Sequence, residues 1–85
     1  MIGFDKVAIS VVIRRERKGK KLSQEVLSGL AGISRSHLAM IENGTKNPNF
    51  ETLWKISIAF NMHPYELVQL IEDEINAKNG NSEQK

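Results

Sequence analysis

Hydrophobic residues recur at three- and four-residue spacing along most of this chain, which is typical of amphipathic α-helices. The clearest case runs from Leu22 to Gly44, with the sequence LSQEVLSGLAGISRSHLAMIENG. Ser23 and Ser34 each precede a short apolar repeat, as N-cap residues do, and Gly32 between the repeats can adopt a positive φ. This segment is therefore predicted to form two short helices joined by a tight turn.

The second of these two helices presents one apolar and one polar side. Leu38 and Ile41 are three residues apart and are predicted to face inward, and Ile33 is predicted to pack between the helices. The apolar positions of the first helix are Val26, Leu27, Leu30 and Ala31, and the outward positions of the second are Arg35, Ser36, Ala39 and Met40. A helix end with exposed polar side chains is the shape that enters the major groove of DNA.

Three more helices are predicted around this pair, so the fold class is all-α, a compact five-helix domain over residues 1–78. Pro48 prevents a helix from continuing through the polar loop, and Asn61 is predicted to take the left-handed conformation that ends a helix. The polar residues 79–85 are predicted to be a disordered tail. The additional helices are predicted from about Phe4 to Lys18, Phe50 to Phe60 and Pro64 to Lys78.

With these elements in place, the chain resembles the lambda-repressor-like, or Xre/Cro-type, helix-turn-helix family over roughly residues 9–70. The resemblance implies a DNA-binding domain with its helix-turn-helix in helices 2 and 3, acting as a sequence-specific transcriptional regulator on double-stranded DNA. It rests on Leu22-Ser23-Gln24-Glu25, Ala31-Gly32-Ile33-Ser34, Ile41-Glu42-Asn43-Gly44, Asn47-Pro48 and Leu53-Trp54-Lys55-Ile56.

The resemblance also implies base contacts from the start of the third helix. Arg35 and Ser36 match the first two base-reading positions of the family, Met40 matches a third, and His37 is a further candidate. Arg35 suits guanine, because its planar guanidinium donates to O6 and N7 together. Met40 offers only apolar contact, for example to a thymine methyl. The alternative is an exposed helix face that binds no ligand.

Phosphate contacts are implied at both ends of the motif. Gln24 matches a residue that grips a phosphate in the family, at a helix N-terminus that favours an anion. Asn43, Lys46 and Asn47 match a second phosphate-binding segment, and Lys21 from the preceding basic stretch is a further candidate. The alternative is that these five are ordinary helix-end and solvated loop residues.

Arg17 and Glu42 match an ion pair that, in the family, links the first helix to the reading helix. Glu42 is therefore expected to be structural, because an unpaired carboxylate near phosphates would repel them. The chain departs from the family directly before Leu22, where Lys21 stands in place of the usual Gly. The resemblance therefore leaves the geometry of this loop open.

Charge is distributed unevenly along the chain. The formal net charge is only +2, but residues 1–46 carry nine Lys and Arg against four Asp and Glu, whereas residues 47–85 carry three against six. The basic part is expected to face phosphates and the acidic part to point away. For the run from Arg14 to Lys21 the alternative is a solvated helix end and loop, but beside a helix-turn-helix partial phosphate contact is favoured.

Catalytic and metal chemistry has no candidate in the sequence. A glycine-rich phosphate loop, an HExxH motif and cysteine are all absent, and His37 and His63 lie on separate predicted elements. The chain is therefore not expected to be an enzyme or to bind a cofactor or metal.

No apolar run approaches the roughly 20 residues of a membrane span, and no signal peptide is apparent. We expect a cytoplasmic, nucleoid-associated protein of a prokaryote or phage, without a membrane partner.

A homodimer on a palindromic operator is predicted from geometry, because one reading helix covers few base pairs. Two copies on a two-fold axis read half-sites about 34 Å apart. The fifth helix has more apolar positions than one core stripe requires, although it could simply wrap its own core. Leu67 and Ile71 are assigned to the core. Tyr65 and Val68, together with Leu70 or Ile75, are assigned to the partner subunit.

Within the family, the small five-helix form is similar to restriction–modification controller proteins. Segments that resemble theirs are Ile13-Arg14-Arg15-Glu16-Arg17, Gly32-Ile33-Ser34-Arg35 and Asn47-Pro48. Alternatives are an antitoxin that represses its own operon and a phage-type repressor. RNA polymerase or a toxin is a possible partner in addition to DNA and a second copy of the chain. A helical interaction module without DNA contact is the remaining hypothesis.

Overall fold

Five α-helices follow one another in the computed structural model, which describes residues 3–79. Their bounds are α1 Lys6–Gly19, α2 Gln24–Ala31, α3 Arg35–Glu42, α4 Phe50–Ala59 and α5 Pro64–Asn79. No strand occurs within this range. Helices α2 and α3 form the helix-turn-helix, as predicted. Asn79 is the last residue of α5, one position beyond the predicted end, and the rest of the predicted tail lies outside the described residues.

Each of α1 to α4 begins after a residue whose side-chain oxygen accepts a hydrogen bond from the first helical turn, over 2.8–3.0 Å. Such caps satisfy backbone N–H groups that lack a helical partner. Helix α1 begins at Lys6 rather than at the predicted Phe4, because Asp5 has extended backbone and accepts a hydrogen bond from the Val7 N–H. The four caps are Asp5, Ser23, Ser34 and Asn49.

Residues with left-handed backbone lie at four of the chain reversals. Gly32, with φ of 72°, ends α2, and its N–H donates to the carbonyls of Ser28 and Gly29. Asn61 has φ of 62° and follows α4, as predicted. The other two are Gly44 and Lys21, with φ of 84° and 60°. These turns set the angles between successive helices.

The core lies where all five helices meet, and it contains Leu38 and Ile41 of α3 and Leu67 and Ile71 of α5, as predicted. The prediction for α2 was partly wrong. Leu27 and Ala31 are buried one turn apart, whereas Val26 and Leu30 are exposed. Helix α2 has only eight residues and packs against α3 and α4, so one side of it is buried. Ser28 is the third buried residue on that side, beside Leu27 and Ala31. The core side chains are Ala8, Ile9, Val12, Ile13, Leu27, Ala31, Leu38, Ile41, Ile56, Phe60, Leu67, Ile71 and Ile75.

Helix α5 packs against α1 and α4. Its buried stripe continues at four-residue spacing through Leu67, Ile71 and Ile75, so the assignment of Ile75 to a partner subunit was wrong. Leu70 is half-buried and also packs against the core. Within the described part of the chain, no helix combines the length and apolar character needed to cross a bilayer.

Candidate nucleic-acid interface

The N-terminal end of α3 projects polar side chains into solvent. Ser34 caps it by accepting from the His37 N–H over 3.0 Å. Arg35, Ser36 and Met40 are exposed, and His37 is half-buried. Leu38 and Ile41 on the opposite side are fully buried against the core. The residues predicted to contact bases therefore lie on the accessible side of α3, whose opposite side packs against the core.

The predicted pair of Arg17 and Glu42 is present and is bidentate. Arg17 Nε donates to Glu42 Oε2 over 2.7 Å, and Nη2 donates to Oε1 over 2.9 Å. The carboxylate is only 3% exposed and the guanidinium side chain 12%. Hydrogen bonds from Arg17 to this carboxylate raise the pKa of Arg17, whereas burial opposes the shift. Removing one partner of such a buried pair typically costs about 3–5 kcal/mol.

Two further hydrogen bonds extend this pair into a network. Arg17 Nη1 donates to the Leu22 carbonyl over 2.8 Å, and Gln24 Nε2 donates to Glu42 Oε1 over 3.0 Å. The network connects the last turn of α1, the loop before α2, the first residue of α2 and the last residue of α3. The contact of Gln24 with Glu42 was not predicted, because it depends on how two non-adjacent helix ends approach each other.

The first turn of α2 retains unpaired backbone donors. Ser23 Oγ accepts from the Val26 N–H, but no described residue accepts from the N–H groups of Gln24 and Glu25. Helix N-termini of this kind favour anions, because N–H groups and the positive end of the helix dipole coincide. The Glu25 side chain in the same turn is exposed and acidic, and it opposes an anion there.

The segment after α3 is held by a short side-chain turn. Asn43 Oδ1 accepts from the Thr45 N–H over 3.0 Å and from the Thr45 hydroxyl over 2.6 Å. Its amide nitrogen donates to no described residue and is available to a ligand. Lys46 and Asn47 follow with exposed side chains. Thr45 orders this predicted phosphate-binding segment, a role that the sequence pattern of an Asx turn could have indicated.

Lys21 is exposed, has φ of 60° and lies in the loop before α2, separated from that helix by Leu22 and Ser23. This conformation explains why glycine is usual at the position, since a β-carbon costs roughly 1–2 kcal/mol in the left-handed region. The chain therefore keeps the turn and adds a positive charge beside the N-terminus of α2. The neighbouring Lys20 has an ordinary φ of −92° and places its ammonium 5.8 Å from the centre of the Phe60 ring.

A separate apolar face lies on α4 and the start of α5, which we call the α4–α5 face. It lines an open groove of about 610 Å³. Tyr65 and Val68, both predicted to contact a partner subunit, are 71% and 43% exposed. The residues that α4 adds to this face were not predicted, although the four-residue spacing of large apolar residues along α4 indicates them. The lining residues are Phe50, Trp54, Ile58, His63, Pro64, Tyr65 and Val68.

Metal-binding geometry is not found in the described part of the molecule. No group of three or more His, Asp or Glu side chains there could hold a metal ion. His37 lies on α3, whereas the His63 ring stacks on the Tyr65 ring, 5.3 Å between centroids.

Comparison with known proteins assigns this arrangement to a family. The helix-turn-helix family model HTH_3 matches residues 13–67. The ImmF control region 10 kDa protein of Bacillus phage phi105 is 36% identical over 59 residues, covering 69% of this chain and 66% of that protein. An uncharacterized HTH-type transcriptional regulator of Sinorhizobium fredii, y4dJ, is 35% identical over 54 residues, covering 64% and 70%. The chain spans only 40% of a second regulator of that strain, y4dL.

Solved structures agree with the fold. The restriction–modification controller protein C.AhdI from Aeromonas hydrophila has a TM-score of 0.71 and 35% identity, covering 74% of this chain and 96% of that chain. The controller C.Esp1396I, solved as a tetramer in complex with its natural 35 base-pair operator, has a TM-score of 0.78 and 23% identity. Coverage is 86% of this chain and 96% of that one. At this identity the likeness shows the shared fold.

Proposed function

Because this chain belongs to the helix-turn-helix family HTH_3, the Xre and lambda-repressor-like family, we propose that it is a sequence-specific transcriptional regulator. It binds double-stranded DNA as a homodimer on a palindromic operator. The observation that carries this proposal is the exposed, Ser34-capped end of α3, which presents Arg35 and Ser36 between two sets of free donors. The matched relatives are regulators rather than enzymes.

Base recognition is assigned to the exposed side of α3. An α-helix with its side chains is about 10–12 Å across, so the end of α3 fits a major groove about 12 Å wide. Arg35 reads guanine through its two-pronged guanidinium, Ser36 contacts a neighbouring base, and Met40 supplies apolar contact further along. His37 lies closer to the protein body and is assigned to the edge of this contact.

Phosphate binding is assigned to the segments on either side of α3. The backbone N–H groups of Gln24 and Glu25, together with Lys21, serve one strand. The Asn43 amide, Lys46 and Asn47 serve the other. These contacts set the position and orientation of α3 in the groove without reading the sequence.

Dimerisation is assigned to the α4–α5 face. Its aromatic and aliphatic side chains are exposed, and leaving such a surface in water costs free energy. In a dimer with two-fold symmetry, the same face of each copy packs against that of the other and buries both. The assignment keeps Tyr65 and Val68 from the sequence prediction and adds Phe50, Trp54 and Ile58. Leu70, also predicted to contact the partner, is not among the residues lining this face and packs against the core.

Within the family, we propose the restriction–modification controller subtype, supported by the 35% identity to C.AhdI over 96% of its length. The similar phage protein keeps a phage-type regulator as the alternative. Neighbouring restriction and methyltransferase genes would support the first, and a prophage context the second. As a DNA-binding regulator it would act in the cytoplasm. Contacts with RNA polymerase or a toxin remain predictions.

The test is selection of duplex DNA from a randomised library by the purified protein, followed by affinity measurements at several salt concentrations. We expect a palindromic consensus and affinity that falls steeply between about 50 mM and about 200 mM salt. A footprint upstream of the protein's own gene should overlap the consensus. Absence of salt-dependent duplex binding would favour the interaction module without DNA contact.

A further inference from the structure

One histidine ring lies in the otherwise uncharged groove of the α4–α5 face. Of the seven residues that line the groove, only His63 and Tyr65 have side chains that titrate, and phenols stay neutral at physiological pH. The His63 ring stacks on the Tyr65 ring, with centroids 5.3 Å apart and planes at 10°. Among the described residues, none forms a hydrogen bond or an ion pair with the imidazole. The ring is therefore held by an aromatic contact alone.

The charged side chains nearest to this ring, on both helices that form the groove, already have partners. On α5, Glu66 Oε1 accepts from the backbone N–H of His63 over 2.7 Å, as in a capping box. On α4, Lys55 pairs with Glu51 over 3.3 Å, and neither residue lines the groove. Within the described part of the chain, the groove therefore offers no counter-ion to a protonated imidazole.

We infer that His63 makes dimerisation sensitive to pH, because the dimer forms with both imidazoles neutral and their protonation separates the two copies. This inference rests on the proposed homodimer through the α4–α5 face. Histidine is the side chain that ordinarily gains its charge between about pH 8 and about pH 5. Two-fold symmetry brings the same groove of each copy into the interface, so two rings become charged there together. Burial of an unpaired charge in apolar surroundings is strongly unfavourable.

The direction of the effect follows from the balance of protons. In the monomer, His63 is exposed and takes up a proton freely, whereas the proposed interface covers the ring and disfavours its charged form. Dimerisation in mild acid therefore releases protons, and the dissociation constant of the dimer rises as pH falls. Because one dimer reads two half-sites, occupancy of a palindromic operator should fall when the dimer separates.

Sedimentation of the full chain without DNA, from about pH 8 to about pH 5, measures this coupling. The dissociation constant of the wild-type dimer should rise about tenfold or more over this range. In His63→Gln, whose side chain is polar but always neutral, it should change by less than about threefold. The matched control is His37→Gln, which removes the other histidine from α3, outside the groove, and should keep the wild-type pH dependence. Circular dichroism verifies that each variant is folded at each pH.

A further variant imitates the protonated ring. His63→Lys carries a charge throughout the range and should dimerise weakly at both of its ends. Tight dimerisation of His63→Lys, a pH dependence that persists in His63→Gln, or a wild-type dissociation constant that does not rise in acid would each overturn the inference. A wild-type protein that stays monomeric at high micromolar concentration near pH 8 would instead overturn the proposed dimer, and this inference with it.

The ring resonances of the two histidines supply a readout in the wild-type protein itself. That of His63 is assigned by its loss in His63→Gln. It should titrate at lower pH in a concentrated, dimeric sample than in a dilute, monomeric one, because the dimer disfavours the charged ring. The His37 ring is the internal control and should titrate at the same pH in both samples. A His63 titration that does not depend on protein concentration would overturn the inference.

Discussion

Trp54 lies edge-on to Phe50 on the exposed side of α4, with ring centroids 5.9 Å apart and planes at 67°. This is a favoured aromatic geometry, yet the two side chains are 50% and 66% exposed. Both rings line the groove of the α4–α5 face, and neither belongs to the core. The pair therefore has the properties of an interface rather than of an interior.

Val68→Glu should convert the homodimer to a monomer, because it places an unpaired charge in the proposed apolar interface. Val7→Glu is the matched control, since Val7 is similarly exposed, at 49% against 43%, and lies on α1 away from the groove. Sedimentation should show association weakened by about tenfold or more for Val68→Glu only. A wild-type protein that is monomeric at high micromolar concentration, or equal effects of both changes, would contradict the assignment.

Arg35→Ala should relax base preference at one position in each half-site, with a loss of about 1–3 kcal/mol of discrimination, because a bidentate contact is removed. The control is Lys46→Ala, which removes charge from an exposed loop side chain. It should weaken binding to all duplexes equally. The slope of log affinity against log salt concentration should become shallower by about one unit. Competition between consensus and single-base variants measures both effects, and a uniform loss for Arg35→Ala would argue against base contact.

Lys21→Gly should stabilise the protein by about 1 kcal/mol, because glycine adopts φ near 60° without the β-carbon clash. In a domain of this size, that corresponds to a rise of about 4–8 °C in the thermal midpoint. Lys20→Gly at φ of −92° relieves no strain and loses the contact with the Phe60 ring, so its midpoint should not rise. An unchanged or lower midpoint for Lys21→Gly would show that the turn is not strained.

Asp5→Asn should flatten the loss of stability in acid. Hydrogen bonds from the Lys78 ammonium and then the Val7 N–H lower the pKa of Asp5 below its ordinary value of 3.8. The stabilisation is therefore complete above the unfolded pKa and is lost as pH falls through the lower folded pKa. Thermal midpoints from about pH 5 to about pH 2 should decline less for Asp5→Asn than for wild type, with Lys78→Ala in between. Parallel curves for all three would contradict this linkage.

Local signals in the sequence accounted for most of the fold. Ser23 and Ser34 cap the helices they were predicted to cap, and Gly32 and Asn61 take the left-handed backbone expected of them. These features were predictable because a cap or a left-handed turn depends on a few consecutive residues. The exposure of Arg35 and Ser36 was predictable for a related reason, since Leu38 and Ile41 determine which side of α3 is buried.

Side-chain pairing across the motif was less accessible from sequence. The Arg17–Glu42 pair followed only from the family resemblance. The bond from Gln24 to Glu42 and the turn made by Asn43 and Thr45 were not predicted. Such contacts depend on distances of a few ångströms between separate helix ends, which propensity and periodicity do not specify.

By itself, then, the sequence determined the five helices, the caps of α2 and α3, the turns at Gly32 and Asn61, and the polar end of α3, because these properties are encoded within one or two turns of chain. Only the tertiary structure decided that Ile75 belongs to the core, that Val26 and Leu30 do not, and that Phe50 and Trp54 join Tyr65 on one exposed face. An apolar side chain has the same hydrophobicity in a core and in an interface. Its role is decided by how each helix is rotated against its neighbours.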